Sequence, residues 1–174
     1  LKRSDCELVE AACHGDVDSF GELYRRYYRM ATGIARSRLS DLHLAEDAAQ
    51  EAFAIACRSL TALQDHKQFP HWLGTICRRT ASKMANSRTT HEQLSEDVEM
   101  TSDGRAESSG EEIHIALMQL DETAREIVVL HYFSELSYEE IACVMGLSTQ
   151  AIHGRLQRAR RKLATRLKTD GVKQ

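Results

Sequence analysis

The sequence predicts an all-α protein of two small helical domains joined by a flexible acidic linker. Three observations predict it. Apolar residues recur near helical spacing over most of the 174-residue chain, and no stretch alternates convincingly with period two. The acidity is concentrated: residues 89–112 carry a charge of −7, while the blocks before and after each carry +2. The only proline, Pro70, stands where a helix can begin, because a missing N–H costs nothing in a first turn.

The elements follow in order. Ser4-x-x-Glu7 is a capping box, and Leu8, Val9, Ala11 and Ala12 follow before Gly15 stops the helix. A second helix is expected from about Asp18 to Leu39, with Phe20, Leu23, Tyr27, Ile34 and Ala35 near helical spacing. A third runs from about Leu42 to Leu60 and a fourth from about Lys67 to Arg88. The segment from about Thr89 to Gly110 is rich in Ser, Thr, Glu, Asp and Gly. It has too little apolar surface to offset its ordering entropy. A solvated tether is its first reading, and an acidic cover for a basic surface is the second. Beyond it come helices at about 111–120 and 122–133, then a helix-turn-helix pair. The expected division is residues 1–88, a linker at 89–111, and residues 112–174.

The helix-turn-helix rests on specific spacing. Ser137-x-x-Glu140 caps its first helix. Ala142 is small where two helices approach closely, Gly146 supplies a left-handed turn, Ser148 can cap the second helix, and Ile152 packs back on the first. From Arg155 to Lys168 the second helix carries seven basic residues and no acidic one. Such a unit fits a DNA major groove. Thr149, Gln150, His153 and Arg155 lie near the helix start, where side chains reach base edges; later arginines such as Arg158, Arg160 and Arg161 mainly meet phosphates.

Two stretches of the first domain carry further candidates. In residues 45–53, AEDAAQEAF, Ala48, Ala52 and Ile55 can face inward while Asp47, Gln50 and Glu51 cluster outside. For an isolated helix that patch reads better as a solvated face than as a site. In FPHWLGTICRRTASKMANSR, Phe69, Trp72, Leu73 and Ile76 stand beside Arg78, Arg79, Lys83 and Arg88. Rings and guanidiniums so interleaved suit single-stranded nucleic acid, though Trp72, Leu73 and Ile76 read first as core.

Composition bounds the rest. A hydrophobic content of 42% can form a core, and 28% charged residues without a long apolar run argue against membrane insertion. No charged-then-apolar leader opens the sequence. The five cysteines are scattered without a C-x-x-C pair, which suggests reduced core thiols in a cytoplasmic protein. The eight histidines are dispersed, and no phosphate-binding loop, H-E-x-x-H or G-x-S-x-G occurs. No catalytic site, metal site or cofactor is expected.

Taken in order, GDVDSFGELYRRYYRM, AEDAAQEAF, FPHWLGTICRR, a linker, and LDETAREIVVLHYFSELSYEEIACVMGLSTQAIHGRLQRARRKL resemble the extracytoplasmic-function branch of bacterial sigma factors. The resemblance covers nearly the whole chain except the linker and last residues. It implies that the chain is not an enzyme but a specificity subunit of RNA polymerase. It implies that Asp47, Gln50 and Glu51 meet the clamp coiled coil of the polymerase core, with Phe53 supporting from inside. It assigns −10 promoter DNA to the region of Phe69, His71, Trp72, Arg78, Arg79 and Lys83, with a base captured in a loop at about Gln64 to Pro70. It assigns −35 DNA to Thr149, Gln150, His153, Arg155, Arg158, Arg160 and Arg161. Implied partners are core polymerase (clamp and flap), promoter DNA and, as a candidate, an anti-sigma factor. Two positions depart from the family pattern: Arg79 stands where Asn is usual and Lys83 where Asp is usual. Both changes add positive charge, which keeps a phosphate grip and alters the −10 sequence preferred.

Overall fold

Polar residues placed just ahead of apolar runs set most of the helix starts. In the computed structural model, which describes residues 3–94 and 108–170, the order is α1 (Asp5–Cys13), α2 (Val17–Arg36), α3 (Leu42–Ser59), α4 (Phe69–Leu94), α5 (Ser108–Met118), α6 (Glu122–Tyr132), α7 (Tyr138–Met145) and α8 (Thr149–Asp170). Two single 3-10 turns, Leu60–Ala62 and His66–Gln68, lead from α3 into α4. Ser4 and Ser137 each form a complete capping box, and Asp16, Asp41 and Asp121 cap α2, α3 and α6. Gly146 ends α7 with φ 64°, the left-handed conformation expected of it, and Ser148 accepts from the Ala151 N–H at 3.2 Å. Among the described residues the chain is entirely helix, turn and loop.

The first four helices pack around α2, which touches α1, α3 and α4. Five buried alanines of α3 (Ala45, Ala48, Ala49, Ala52 and Ala56) let it lie close against α2 and α4. Phe69, Leu73 and Cys77, spaced i, i+4, i+8 on α4, complete this core. In the second half α6, α7 and α8 pack together through Ile127, Leu130, Ile141, Ile152 and Leu156, all essentially inaccessible to water.

The two halves are not separate beads. Helix α6 packs on α2 and α7 packs on α4, so Leu8, Leu23, Ile34 and Leu73 belong to one continuous apolar cluster with Leu130, Ile141 and Val144. This close approach uses two helical glycines. A Cβ at Gly33 would stand 3.1 Å from Leu130 Cδ2 and 2.2 Å from Ser134 Oγ, and one at Gly74 would stand 3.1 Å from Val144 Cγ1. Inside a helix each glycine costs about 1 kcal/mol relative to alanine, and the packed seam offsets that cost.

Two sequence expectations change. Helix α4 runs on to Leu94 and α5 begins at Ser108, so helix reaches into the expected linker from both ends. The acidic middle, residues 95–107, lies outside the described residues, and so does any covering role for it. The cysteines are not mainly core thiols: Cys77 is buried, Cys6 and Cys13 are half-buried, and Cys57 and Cys143 are exposed, all five as free thiols. Apolar neighbours along the chain do not ensure apolar neighbours in space when the residue sits on a helix's outer face.

Candidate nucleic-acid and partner interfaces

Helix α3 turns its alanines inward, and the same geometry puts Asp47, Gln50 and Glu51 outside. Neither Asp47 nor Gln50 has a hydrogen-bond or ion-pair partner among the described residues, while Glu51 reaches Arg58 at 3.2 Å. Phe53 is buried, its ring 4.6 Å from that of Tyr24 and 6.5 Å from that of Phe20. It holds the helix from beneath, as expected. The acid–amide face forms one wall of an open groove of about 1130 Å³ whose other wall is α4, through Thr80, Lys83 and Met84. Thus Lys83, expected at a different surface, shares a groove with the three polar residues of α3.

The six candidates of α4 divide by helical phase. Arg79 and Lys83 point to solvent. Phe69 does not: its ring is fully enclosed, 5.4 Å from the Tyr27 ring and 6.1 Å from the Trp72 ring, so it is a core residue and not a stacking surface in this conformation. Trp72 is half-buried against the same core. His71 and Arg78, seven residues apart, lie on the face turned to the second domain. His71 Nδ1 donates to the Val144 carbonyl at 3.1 Å, and its ring lies over Gly146. Arg78 Nη2 donates to Glu126 Oε1 at 2.8 Å and to the Val144 carbonyl at 3.2 Å. Both are engaged within the chain in this conformation. The preceding loop leaves Gln64, Asp65, Lys67 and Gln68 exposed, with Asp65 capping the Lys67 N–H.

On α8 the expected reader is outward. Thr149, Gln150 and His153 are exposed, and so are Arg158, Arg160 and Arg161. Arg155 separates from the others. It is half-buried and lines a small cleft with Arg158, Lys162 and Asp121, because at 100° per residue positions 155, 158 and 162 lie roughly opposite 153 and 160. The side of His153 and Arg160 is organised by aromatic rings. Arg160 donates to the Tyr132 hydroxyl and lies 5.4 Å from that ring's centre, while Tyr138 meets the His153 ring edge-on at 5.7 Å. Tyr132 and Tyr138 were not legible as site residues, since neither carries a charge or motif signal.

Glu126 and Arg38 also escaped sequence reading. Glu126 is 1% exposed; Arg78 donates to both of its oxygens, and Arg38 Nη1 donates to Oε2 at 2.8 Å. Arg38 Nε lies 2.7 Å from Glu122 Oε1, close enough for an ion pair but off the axis of its N–H. The only signal for this arrangement is a carboxylate set directly before the apolar run of residues 127–130.

No group of three His, Cys, Asp or Glu side chains is placed to hold a metal ion among the described residues. None of the described helices is long and apolar enough to cross a membrane.

Comparison with known proteins fits this geometry. Residues 23–90 match the family model of sigma-70 region 2, and residues 110–163 match that of sigma-70 region 4. The chain is 30% identical over 162 residues to the RNA polymerase sigma factor YlaC of Bacillus subtilis, covering 84% of this chain and 90% of that one. It is 31% identical to the sigma factor NccH of Alcaligenes xylosoxydans, covering 97% of both. Among solved structures, CnrH in complex with the cytosolic domain of CnrY superposes with a TM-score of 0.67 at 27% identity, covering 95% of this chain and 98% of that one. The sigma factor RpoE of Bartonella quintana, solved with the anti-sigma factor NepR, gives 0.61 at 25% identity, covering 88% and 99%.

Proposed function

Since the chain belongs to the sigma-70 family, in its extracytoplasmic-function branch, we propose that it directs RNA polymerase core to specific promoters. The observation that carries this reading is the pairing of two unlike faces on one chain. Helix α3 presents exposed acid and amide groups suited to a protein partner, and α8 presents an exposed basic face suited to duplex DNA. A protein that only bound DNA would need the second face and not the first.

Each face has a stated task. Asp47, Gln50 and Glu51 dock on the polymerase clamp, with Phe53 fixing the helix behind them. Thr149, Gln150 and His153 reach base edges in the −35 major groove, and Arg158, Arg160 and Arg161 hold phosphates on either side. Arg79 and Lys83 hold the −10 strand, and the exposed loop at Gln64–Gln68 takes up a base that leaves the stack. Extruding a base costs a few kcal/mol, which strand contacts of this kind offset. Phosphodiester synthesis belongs to the polymerase, and the chain itself performs no chemistry. Its work with the polymerase puts it in the cytoplasm. The relatives solved with CnrY and NepR make a comparable inhibitory partner the natural regulator for this chain.

Mixing the purified chain with core polymerase and a promoter library tests the proposal. Specific run-off transcripts that require the chain are expected. Duplex binding without any effect on initiation would instead make it a stand-alone DNA-binding factor, and binding to neither polymerase nor DNA would make it an adaptor.

A further inference from the structure

Inside α8 one residue carries no side chain where the fold would accept one. Gly154 stands two places from Ile152 and two from Leu156. At 100° per residue it therefore lies on the side of α8 turned away from the buried stripe of Ile152, Leu156 and Ala159. A Cβ built on it would meet only Arg158 Nη1, at an ordinary 3.6 Å. Gly33, Gly74 and Gly146 are different, because a Cβ on each would stand 3.1 Å or less from a packed neighbour. Packing explains those three and leaves Gly154 with an unexplained helix penalty relative to alanine. Gly21 of α2 is as open, so openness alone decides nothing; the surroundings of Gly154 do. Gln150, His153, Gln157, Arg158 and Arg161 are exposed around it, and neither glutamine has a hydrogen-bond partner among the described residues. Gln150 precedes Gly154 by four residues and Gln157 follows it by three, the spacings at which helix neighbours flank one another. Ala151, three residues earlier, adds one methyl, so the pair forms a small apolar notch in a face of amides and cations.

We propose that Gly154 is a specificity-determining residue of the −35 reader: its bare Cα seats α8 against the C5 methyl of a thymine, while Gln150 and Gln157 take adenine edges on either side. The inference rests on the duplex-reading function above and names the base pair that this face selects. The thymine methyl is the apolar group that a major groove offers, and glutamine meets adenine through N6 and N7. Notch and amides therefore call for the same A·T pairs. A side chain at position 154 would lift the helix off the bases and draw both amides out of reach. Phosphates held by Arg158 and Arg161 tolerate such a lift better, because attraction between charges falls slowly with distance. Sequence preference is thus lost before general grip.

A bump on the protein and a matching hole in the DNA test this. Holoenzyme assembled from core polymerase and the Gly154→Ala chain is compared with wild type on a promoter that the wild-type holoenzyme transcribes. Both are also titrated on versions of that promoter in which each −35 thymine is replaced singly by uracil, which lacks the methyl. Gly154→Ala should bind the parent promoter about tenfold more weakly and unrelated duplex less than about twofold more weakly. One uracil substitution should restore most of the variant's loss, and the same substitution should weaken the wild type. The free Gly154→Ala chain should melt at a higher temperature than wild type, since alanine is the better helix former and nothing crowds it there. Weaker binding would then not come from unfolding. The proposal fails if Gly154→Ala binds the parent promoter as well as wild type, or if no single uracil restores binding. It fails equally if the variant melts lower, which would make the glycine a requirement of the fold. Failure of the function itself looks different: wild-type holoenzyme would then select no promoter, and the proposal would fall with it.

Discussion

Replacing Gly146 with alanine should destabilise the chain through two separable effects. The first is local. Gly146 sits at φ 64°, and an L-residue in that region costs about 1–2 kcal/mol. The second crosses the domain seam. The new Cβ would lie 2.9 Å from His71 Cε1, closer than such atoms pack, and His71 cannot retreat without loosening its 3.1 Å hydrogen bond to Val144. Losing that bond adds about 0.5–1.5 kcal/mol, so the sum is about 1.5–3.5 kcal/mol. Urea unfolding of the wild type, Gly146→Ala, His71→Ala and the double variant measures both parts. With His71 removed, Gly146→Ala should cost only the local 1–2 kcal/mol, leaving a coupling of about 1 kcal/mol. Equal costs in both backgrounds would refute the contact across the seam. A cost below about 0.5 kcal/mol in either would refute the argument from the left-handed turn.

Other outcomes follow from single features. Asp47→Ala with Gln50→Ala should weaken binding to core polymerase, measured by titration, without moving the melting temperature; unchanged affinity would remove both from the interface. Arg158→Ala should lower DNA affinity across sequences and reduce the salt slope by about one, since it meets phosphate rather than base edges. Burial pushes the Cys77 thiol up to about 12, so under native conditions iodoacetamide should modify exposed Cys57 and spare Cys77, as mass spectrometry of the peptides will show. The Ser4 hydroxyl and amide hold the Glu7 carboxyl below its ordinary value. The stability this gives is therefore present above that ordinary value and lost as pH falls through the lowered one, and Ser4→Ala should move Glu7 upward in an NMR titration.

Much of the fold was legible because its determinants are local. The Ser4 and Ser137 boxes, the Gly146 turn and Ile152 each act within about one or two helical turns, and each stands where its spacing predicted. The acid–amide face of α3 was legible for the same reason, since buried alanines at helical spacing leave Asp47, Gln50 and Glu51 only the outer side. The seam was not. Glu126 finds its partners 48 and 88 residues away, and no pattern near a lone carboxylate reveals which cations will reach it. The burial of Phe69 was not legible because a core-facing helix stripe and a base-stacking surface draw on the same aromatic residues. Only the packing of Tyr27 and Trp72 around its ring distinguishes them. Helix α4 overran the expected linker because its last turns carry no apolar stripe to mark them.

The claim that this chain gives polymerase its promoter is tested most directly by permanganate reactivity of promoter thymines. With core polymerase and the chain together, thymines of the −10 region should become reactive while those around −35 stay protected in duplex. Reactivity equal with and without the chain, or no opening in its presence on a promoter it binds, would contradict the account.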